Sequence, residues 1–303
     1  AATRADGTVV RQAEATFMRR DGTTFPVAFS GSALWTGHAI TGTVVVFRDV
    51  TEERAEQLRV QRELDALTWV GRIRDAFLED RFVLYAQPIV RLRGGAGSGS
   101  EELLIRMRSS AGEIIPPGEF LPVAEKYGLI EEIDRWVIAQ ATGLAAQGRS
   151  VGVNLSARSV GDIGLLRLIE AQFGAARVDP ALVTFEITET ALMDNLEAGE
   201  RFARGLADMG AGVALDDFGT GFGSFTYLKR LPLQYLKIDI DFVRDLTTNP
   251  ANQHLVKAIV GLAHDFGYET IAEGVEDAAT LDLLDGYGVD LVQGYHLGRP
   301  APV

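Results

Sequence analysis

"GVALDDFGTGFGSF" (residues 212–225) opens as a short apolar run, closes on two adjacent aspartates, Asp216 and Asp217, and passes into a loop with three glycines. A glycine-rich loop after a strand is the pattern of a phosphate cradle. Carboxylates repel phosphate, so the stretch makes sense only with a cation between the two. The run is short and bounded, as strands are. Equivalent runs recur on both sides of it: "FVLYAQPIV", "ELLIRM", "VGVNLS" and "VTFEITE" before, "YLKID", "TIAEGVE" and "LVQGY" after. Eight β-like runs alternating with helical stretches predict an α/β fold, a (β/α)8 TIM-like barrel over residues 80–303. That span, roughly 220 residues, is enough to close such a barrel.

The polar residues near the ends of these runs are Glu102, Asn154, Glu186, Asp216 with Asp217, Lys237, Glu273 and Gln293. In a barrel they share the mouth at the C-terminal ends of the strands, where active sites form. Singly, each reads as a helix cap or a surface charge. Together they concentrate carboxylates in one place, which costs folding free energy unless cations neutralise them. All-oxygen ligands select hard divalent ions such as Mg2+ or Mn2+. Adjacent aspartates suit two ions, one acid bridging while the other holds the second.

Composition narrows the function classes. The chain has 303 residues, 47% hydrophobic and 23% charged, the profile of a globular protein. Its formal net charge of −13 argues against DNA or RNA as partner, because polymer binding needs Lys and Arg to neutralise phosphates. No cysteine is present, so disulfides, thiolate catalysis and Cys-ligated metals are excluded, and a cytoplasmic location is expected. No apolar run approaches the ~20 residues of a membrane span. His38, His254, His264 and His296 are scattered without ligand spacing and read as surface or loop residues.

The first 50 residues read as strands. "EATFMRRDGTTFPVAFSGSAL" alternates around Asp21-Gly22, a hairpin signal, and "TGTVVVFRDV" supplies a third strand. Residues 51–79 read as a connecting helix, with Thr51 as its cap, Glu52 and Glu53 in the first turn, and Leu64, Leu67, Val70, Ile73 and Phe77 at helical spacing. "LRGGAGSGSE" (92–101) reads as a flexible surface loop.

Residues 80–303 resemble an EAL-type cyclic-di-GMP phosphodiesterase domain. The matching stretches are "YAQPIV" (85–90), "ELLIR" (102–106), "PPGEFLPVAEKYGLI" (116–130), "VNLS" (153–156), "FEITE" (185–189), "DDFGTGFGS" (216–224), "LKID" (236–239), "AEGVE" (272–276) and "QGY" (293–295). The resemblance implies hydrolysis of one phosphodiester bond of the cyclic dinucleotide, giving linear 5′-pGpG, with two Mg2+ or Mn2+ ions and inhibition by Ca2+. It assigns Glu102, Asn154, Glu186 and Asp216 to metal binding, and Asp217 to the second ion. Glu273 becomes either a second-metal ligand or the base for the attacking water. Lys237 orients that water and neutralises developing charge, and Gln293 helps to position it. Gln87 and Arg106 match substrate contacts, and an arginine fork suits phosphate. Glu189 matches the glutamate that anchors the glycine-rich loop, with Glu276 and Asp239 as supporting carboxylates.

There are departures from the family pattern. The name motif reads Glu-Leu-Leu, Met107 stands where Trp is common, and Phe222 and Gly223 replace a usual Tyr and Ser, which is expected to loosen the loop. Residues 1–50 resemble the last three strands of a PAS sensor domain, through "RRDGTTFPVAFSGSAL" and "GTVVVFRDVTEE". The first half of such a domain and most of its ligand pocket are missing, so no sensory ligand is assigned. The resemblance also implies a homodimer, paired near the "DDFGTGFGS" loop, with the 51–79 helix as a second contact. Two other readings compete: a catalytically inactive cyclic-di-GMP receptor, and another metal-dependent barrel enzyme such as an enolase-type proton abstractor. Receptors of this kind usually lack a metal ligand or the lysine, and all are present here. The order of "DDFGTG" before "LKID" argues against the enolase type.

Overall fold

The computed structural model describes residues 10–93, 99–219 and 225–303. The chain divides into two compact units at Trp69–Val70. The first contains an antiparallel sheet of β1 (Val10–Met18), β2 (Thr24–Thr36) and β3 (Ala39–Asp49), in that order. The expected hairpin forms, with the Asp21 carboxylate accepting from the Thr23 amide and hydroxyl inside the turn. Phe17 gathers Phe25, Phe29 and Phe47 within 5.2–6.3 Å on one face of the sheet.

Helix α1 (Thr51–Leu78) follows. Its start corrects the expected cap: the Thr51 hydroxyl donates to Asp49, whose carboxylate also takes the Thr51 amide. Aspartate accepts more strongly than a hydroxyl and favours the positive helix start. The division into compact units falls within α1, whose last turns carry the buried Ile73 and Ala76.

The second unit is an eight-stranded closed barrel. Its strands are β4 (Phe82–Arg91), β5 (Ser100–Arg108), then, after the short β6 (Ile114–Ile115), β7 (Val151–Leu155), β8 (Val183–Thr188), β9 (Gly212–Phe218), β10 (Tyr235–Ile238), β11 (Glu269–Ala272) and β12 (Leu291–Gln293). β13 (Ala301–Pro302) adds outside β4. The helices between them are α2 (Pro117–Tyr127), α3 (Ile130–Ala145), α4 (Ile163–Ala176), α5 (Glu189–Asp194), α6 (Leu196–Asp208), α7 (Ile240–Val243), α8 (Pro250–Asp265) and α9 (Ala278–Tyr287). The ring closes because β4 pairs with both β5 and β12.

One feature of a regular (β/α)8 barrel is absent: β4 runs antiparallel to both neighbours. Only residues 92–99 connect β4 to β5, and a parallel pair needs a crossover of about a dozen residues or more. The other seven ring strands run parallel, so the ends of β5 and β7–β12 share one mouth. Branched and aromatic side chains that are wholly or almost wholly buried, among them Val151, Val153, Phe185, Ile187, Leu215, Leu236 and Ile238, pack the wall. Among the described residues no helix is long and apolar enough to cross a membrane.

Candidate active site

Lys237 is fully buried, on β10, and its ammonium meets four carboxylates. Nζ lies 2.5 Å from Glu186 on β8, 2.6 Å from Glu273 just past β11, 3.3 Å from Asp216 on β9 and 3.7 Å from Glu102 on β5. Four acids therefore converge on one cation, three at the C-terminal ends of β8, β9 and β11 and Glu102 from the first residues of β5, against the expectation that it closes its strand. Asn154 on β7 and Gln293 on β12 join through Glu102, donating to it at 2.6 and 2.7 Å. Gln87 on β4 accepts from Gln293 at 3.2 Å. A cleft of about 400 Å³ opens over this group, lined by Gln87, Glu102, Asp216, Glu273 and Gln293 and rimmed by the exposed Glu276.

Backbone details make this convergence fit. A side chain at Gly152 on β7 would overlap the Glu186 carboxylate, so glycine leaves the room that acid occupies. Asp216 and Asp217 would face opposite sides of a regular strand. Here β9 carries one extra residue against β10: Leu215 pairs with Leu236, and Phe218 with Ile238. Such a bulge re-aims side chains. It places Asp217 at φ 55°, a conformation costing about 1–3 kcal/mol in a non-glycine residue, and within charge reach of Asp216, Asp239 and Lys237. Asp239 also caps α7 through the Asp241 amide.

The electrostatics show one cation against too many anions. Burial pushes Glu102 up, but Lys237 and the donors Gln293 and Asn154 outweigh it and hold its carboxyl below the usual range. Burial raises Glu186 well above its ordinary value despite Lys237, with Glu102 and Asp216 adding repulsion. Glu273 is pushed up to about 7 by burial, against Lys237 and with Asp216 and Glu102. Asp217 rises to about 6 through burial, Asp216 and Asp239. Burial opposes the charge on Lys237, and the four acids reverse that, raising it well above a normal lysine.

This donor set fits divalent metal chemically. It is all oxygen, it is over-supplied with negative charge, and Gln293 Oε1 is buried without a hydrogen-bond partner among the described residues. Among the described residues no ready-made cage of three acids or histidines stands open for an ion, because the acids close on the ammonium instead.

The remaining expected residues lie around this centre. Glu189, the first residue of α5, accepts from the Gly219 amide at 3.2 Å and the Tyr227 hydroxyl at 2.8 Å, at the entry to the glycine-rich stretch. Phe222 and Gly223 lie outside the described residues. Arg106 does not line the acid cleft: its guanidinium donates to the Ile105 carbonyl and sits 5.4 Å from the Tyr85 ring. Sequence reasoning missed Asp134 on α3, a buried acid that accepts from the Ser156 amide and hydroxyl at 3.2 and 2.6 Å and so fixes the chain just beyond Asn154. The signal was a charged residue within the apolar stripe of "EEIDRWVIA".

A raised carboxyl pKa means that the folded state holds the proton more tightly than the unfolded chain. The stability it contributes is complete below about pH 4.5 and is lost as pH rises through about 7. In chelator, the Tm should fall between pH 5 and 8. At pH 8, Glu273→Gln should be more stable than the parent by on the order of 3 kcal/mol. Calorimetric scans of both proteins check this; equal pH slopes would contradict it.

Comparison with known proteins bears on the family and the fold. The EAL domain profile matches residues 70–300. The signaling protein YkoW of Bacillus subtilis is 38% identical over 236 residues, covering 76% of this chain and 29% of that protein. The cyclic di-GMP phosphodiesterase PdeB of Shewanella oneidensis is 36% identical over 260 residues, covering 84% and 30%. The chain thus spans less than a third of the length of these two relatives. Among solved structures, the PaMucR phosphodiesterase in complex with c-di-GMP superposes with a TM-score of 0.74 at 34% identity, covering 78% of this chain and 98% of that one. The FimX EAL domain from Pseudomonas aeruginosa, bound to c-di-GMP, gives 0.73 at 34%, covering 77% and 96%. With its profile match over residues 70–300, most of its length, this chain belongs to the EAL-domain family.

Proposed function

We propose that the barrel hydrolyses cyclic-di-GMP to linear 5′-pGpG in a reaction that depends on divalent metal. EAL phosphodiesterases as a group are metal dependent. The observation that carries the reading is the convergence of Glu102, Glu186, Asp216 and Glu273 on the buried Lys237 beneath an open cleft. Glu102, Asn154, Glu186 and Asp216 would hold one Mg2+ or Mn2+, and Asp217 a second. Bound ions would polarise the phosphoryl oxygens and make water a better nucleophile. Ca2+, with its longer and looser coordination, would occupy the site without supporting turnover.

The chain's own groups divide the remaining work. Glu273 is the most solvent-open of the four acids around Lys237, its side chain 21% exposed against 2–11% for the others, so it is the one placed to take a proton from the attacking water. The water oxygen bonds to phosphorus, the ester bond to the 3′ oxygen breaks, and the ring opens. Lys237 supplies positive charge where phosphoryl charge grows. Gln293 and Gln87 line the cleft as a hydrogen-bonded pair that orients the incoming diester. Receptors of this kind usually lack a metal ligand or the lysine, and each is present here, which supports the enzyme reading.

Lys237→Ala should lower kcat by about 10²-fold or more, while Ca2+-supported dinucleotide binding changes far less, because a group that acts mainly in the transition state shows in kcat. Single-turnover hydrolysis and calorimetric binding check both halves. Unchanged turnover would remove Lys237 from the mechanism, and binding without cleavage by the parent protein in any metal would favour the receptor.

We also propose a homodimer. Leu64 and Leu67 of α1 are each more than half exposed, an apolar stripe suited to two-fold pairing. Light scattering at working concentration should give twice the chain mass; a fully active monomer would contradict it.

A further inference from the structure

Residues after β12 form a tight strap along the cleft. A side chain at Gly294 would overlap the backbone of Val275, so the two chains lie in direct contact there. The Val275 amide donates to the Gln293 carbonyl, and the His296 amide to the Val275 carbonyl, both at 3.0 Å. Leu297 and Gly298 donate back to the Gly294 carbonyl at 3.1 Å, and Gln87 holds the Gly298 carbonyl at 3.1 Å. The backbone on both sides of Tyr295 is therefore fixed. The side chain of Tyr295 goes the other way: it lines the acid cleft and the residue is 52% exposed. The ring therefore stands about half open to solvent on a rigid root, at the edge of a buried acidic centre.

The guanidinium of Arg299 lies over this ring, 4.2 Å from its centroid. It covers one face, braces the ring by a cation–π contact and lowers the entropy cost of using the ring as a platform. The polar side chains that line the cleft beside it are carboxylates and carboxamides, which suit a metal-bound phosphate, and Ile240 is the one large aliphatic side chain among its lining residues. Tyr295 is the one aromatic side chain lining that cleft among the described residues.

We propose that Tyr295, backed by Arg299, is the stacking platform for one purine of the substrate. The inference rests on the cyclic-dinucleotide reading and adds the subsite that grips a base. Base–aromatic stacking is sequence-tolerant and strong enough to register in affinity. It acts equally in the ground and transition states, so its loss appears in KM and not in kcat.

The test compares the parent protein with Tyr295→Ala and Tyr295→Phe. Cyclic-di-GMP binding is measured by calorimetry in Ca2+, hydrolysis in Mn2+, and Mn2+ uptake by each protein alone. Tyr295→Ala should raise Kd and KM by about 10- to 100-fold with kcat within about twofold and Mn2+ uptake unchanged. Tyr295→Phe, which keeps the ring, should behave as the parent. If the parent binds and cleaves the dinucleotide and Tyr295→Ala does so with the same Kd and KM, stacking is wrong and the functional reading stands. Equal loss in the Phe and Ala variants would also overturn it, assigning the effect to the hydroxyl. A parent protein that neither binds nor cleaves the dinucleotide overturns the functional reading, and this inference with it.

Discussion

A buried ammonium surrounded by carboxylates governs this molecule. Lys237 cannot be hydrated, and only its four acid partners make its charge tolerable. The acids depend on it in turn, yet one positive charge does not balance four negative ones. Glu186 and Glu273 show the residue of that imbalance in their raised proton affinity, and Glu102, held by Asn154 and Gln293, escapes it. The centre is stable enough to fold and short of positive charge. That is the electrostatic condition in which a divalent cation binds tightly and a phosphodiester can follow it.

The barrel exists around this constraint. Parallel strands bring their ends to one mouth, so residues far apart in sequence meet there without long loops. Local irregularities then adjust the fit. Gly152 makes room for Glu186, a bulge in β9 turns adjacent aspartates toward shared company, and Gly294 lets the strap press against Val275. These departures from regular geometry cluster at the site, where strain and close approach are repaid by function.

Much of this was legible in the sequence, because an apolar run ending in a polar residue is a local pattern and barrels repeat it. The runs around Asn154, Glu186, Asp216, Lys237 and Gln293 all became barrel strands ending at the mouth. Four things were not legible. The antiparallel course of β4 depends on the eight-residue connection 92–99, whose shortness carries the message while its glycine-rich composition does not. The complete burial of Lys237 depends on partners brought from four other segments. Asp134 shows in the sequence only as a charge within the apolar stripe of α3, and the fold alone shows that it pins Ser156. The cap of α1 went to Asp49, two residues before the expected Thr51, because the stronger acceptor was within reach. In each case the deciding contact is tertiary or competitive, and periodicity does not encode it.

The central claim is that the acids around Lys237 form a site for divalent cation. Titrating the chelator-stripped protein with Mn2+ and following the electron-paramagnetic signal of the free aqueous ion tests it without reference to turnover. The account predicts that the free signal is suppressed until the site fills, and that Asp216→Asn and Glu102→Gln each weaken uptake by about 10-fold or more. Free Mn2+ appearing in proportion from the first addition, with no difference between parent and variants, would contradict it.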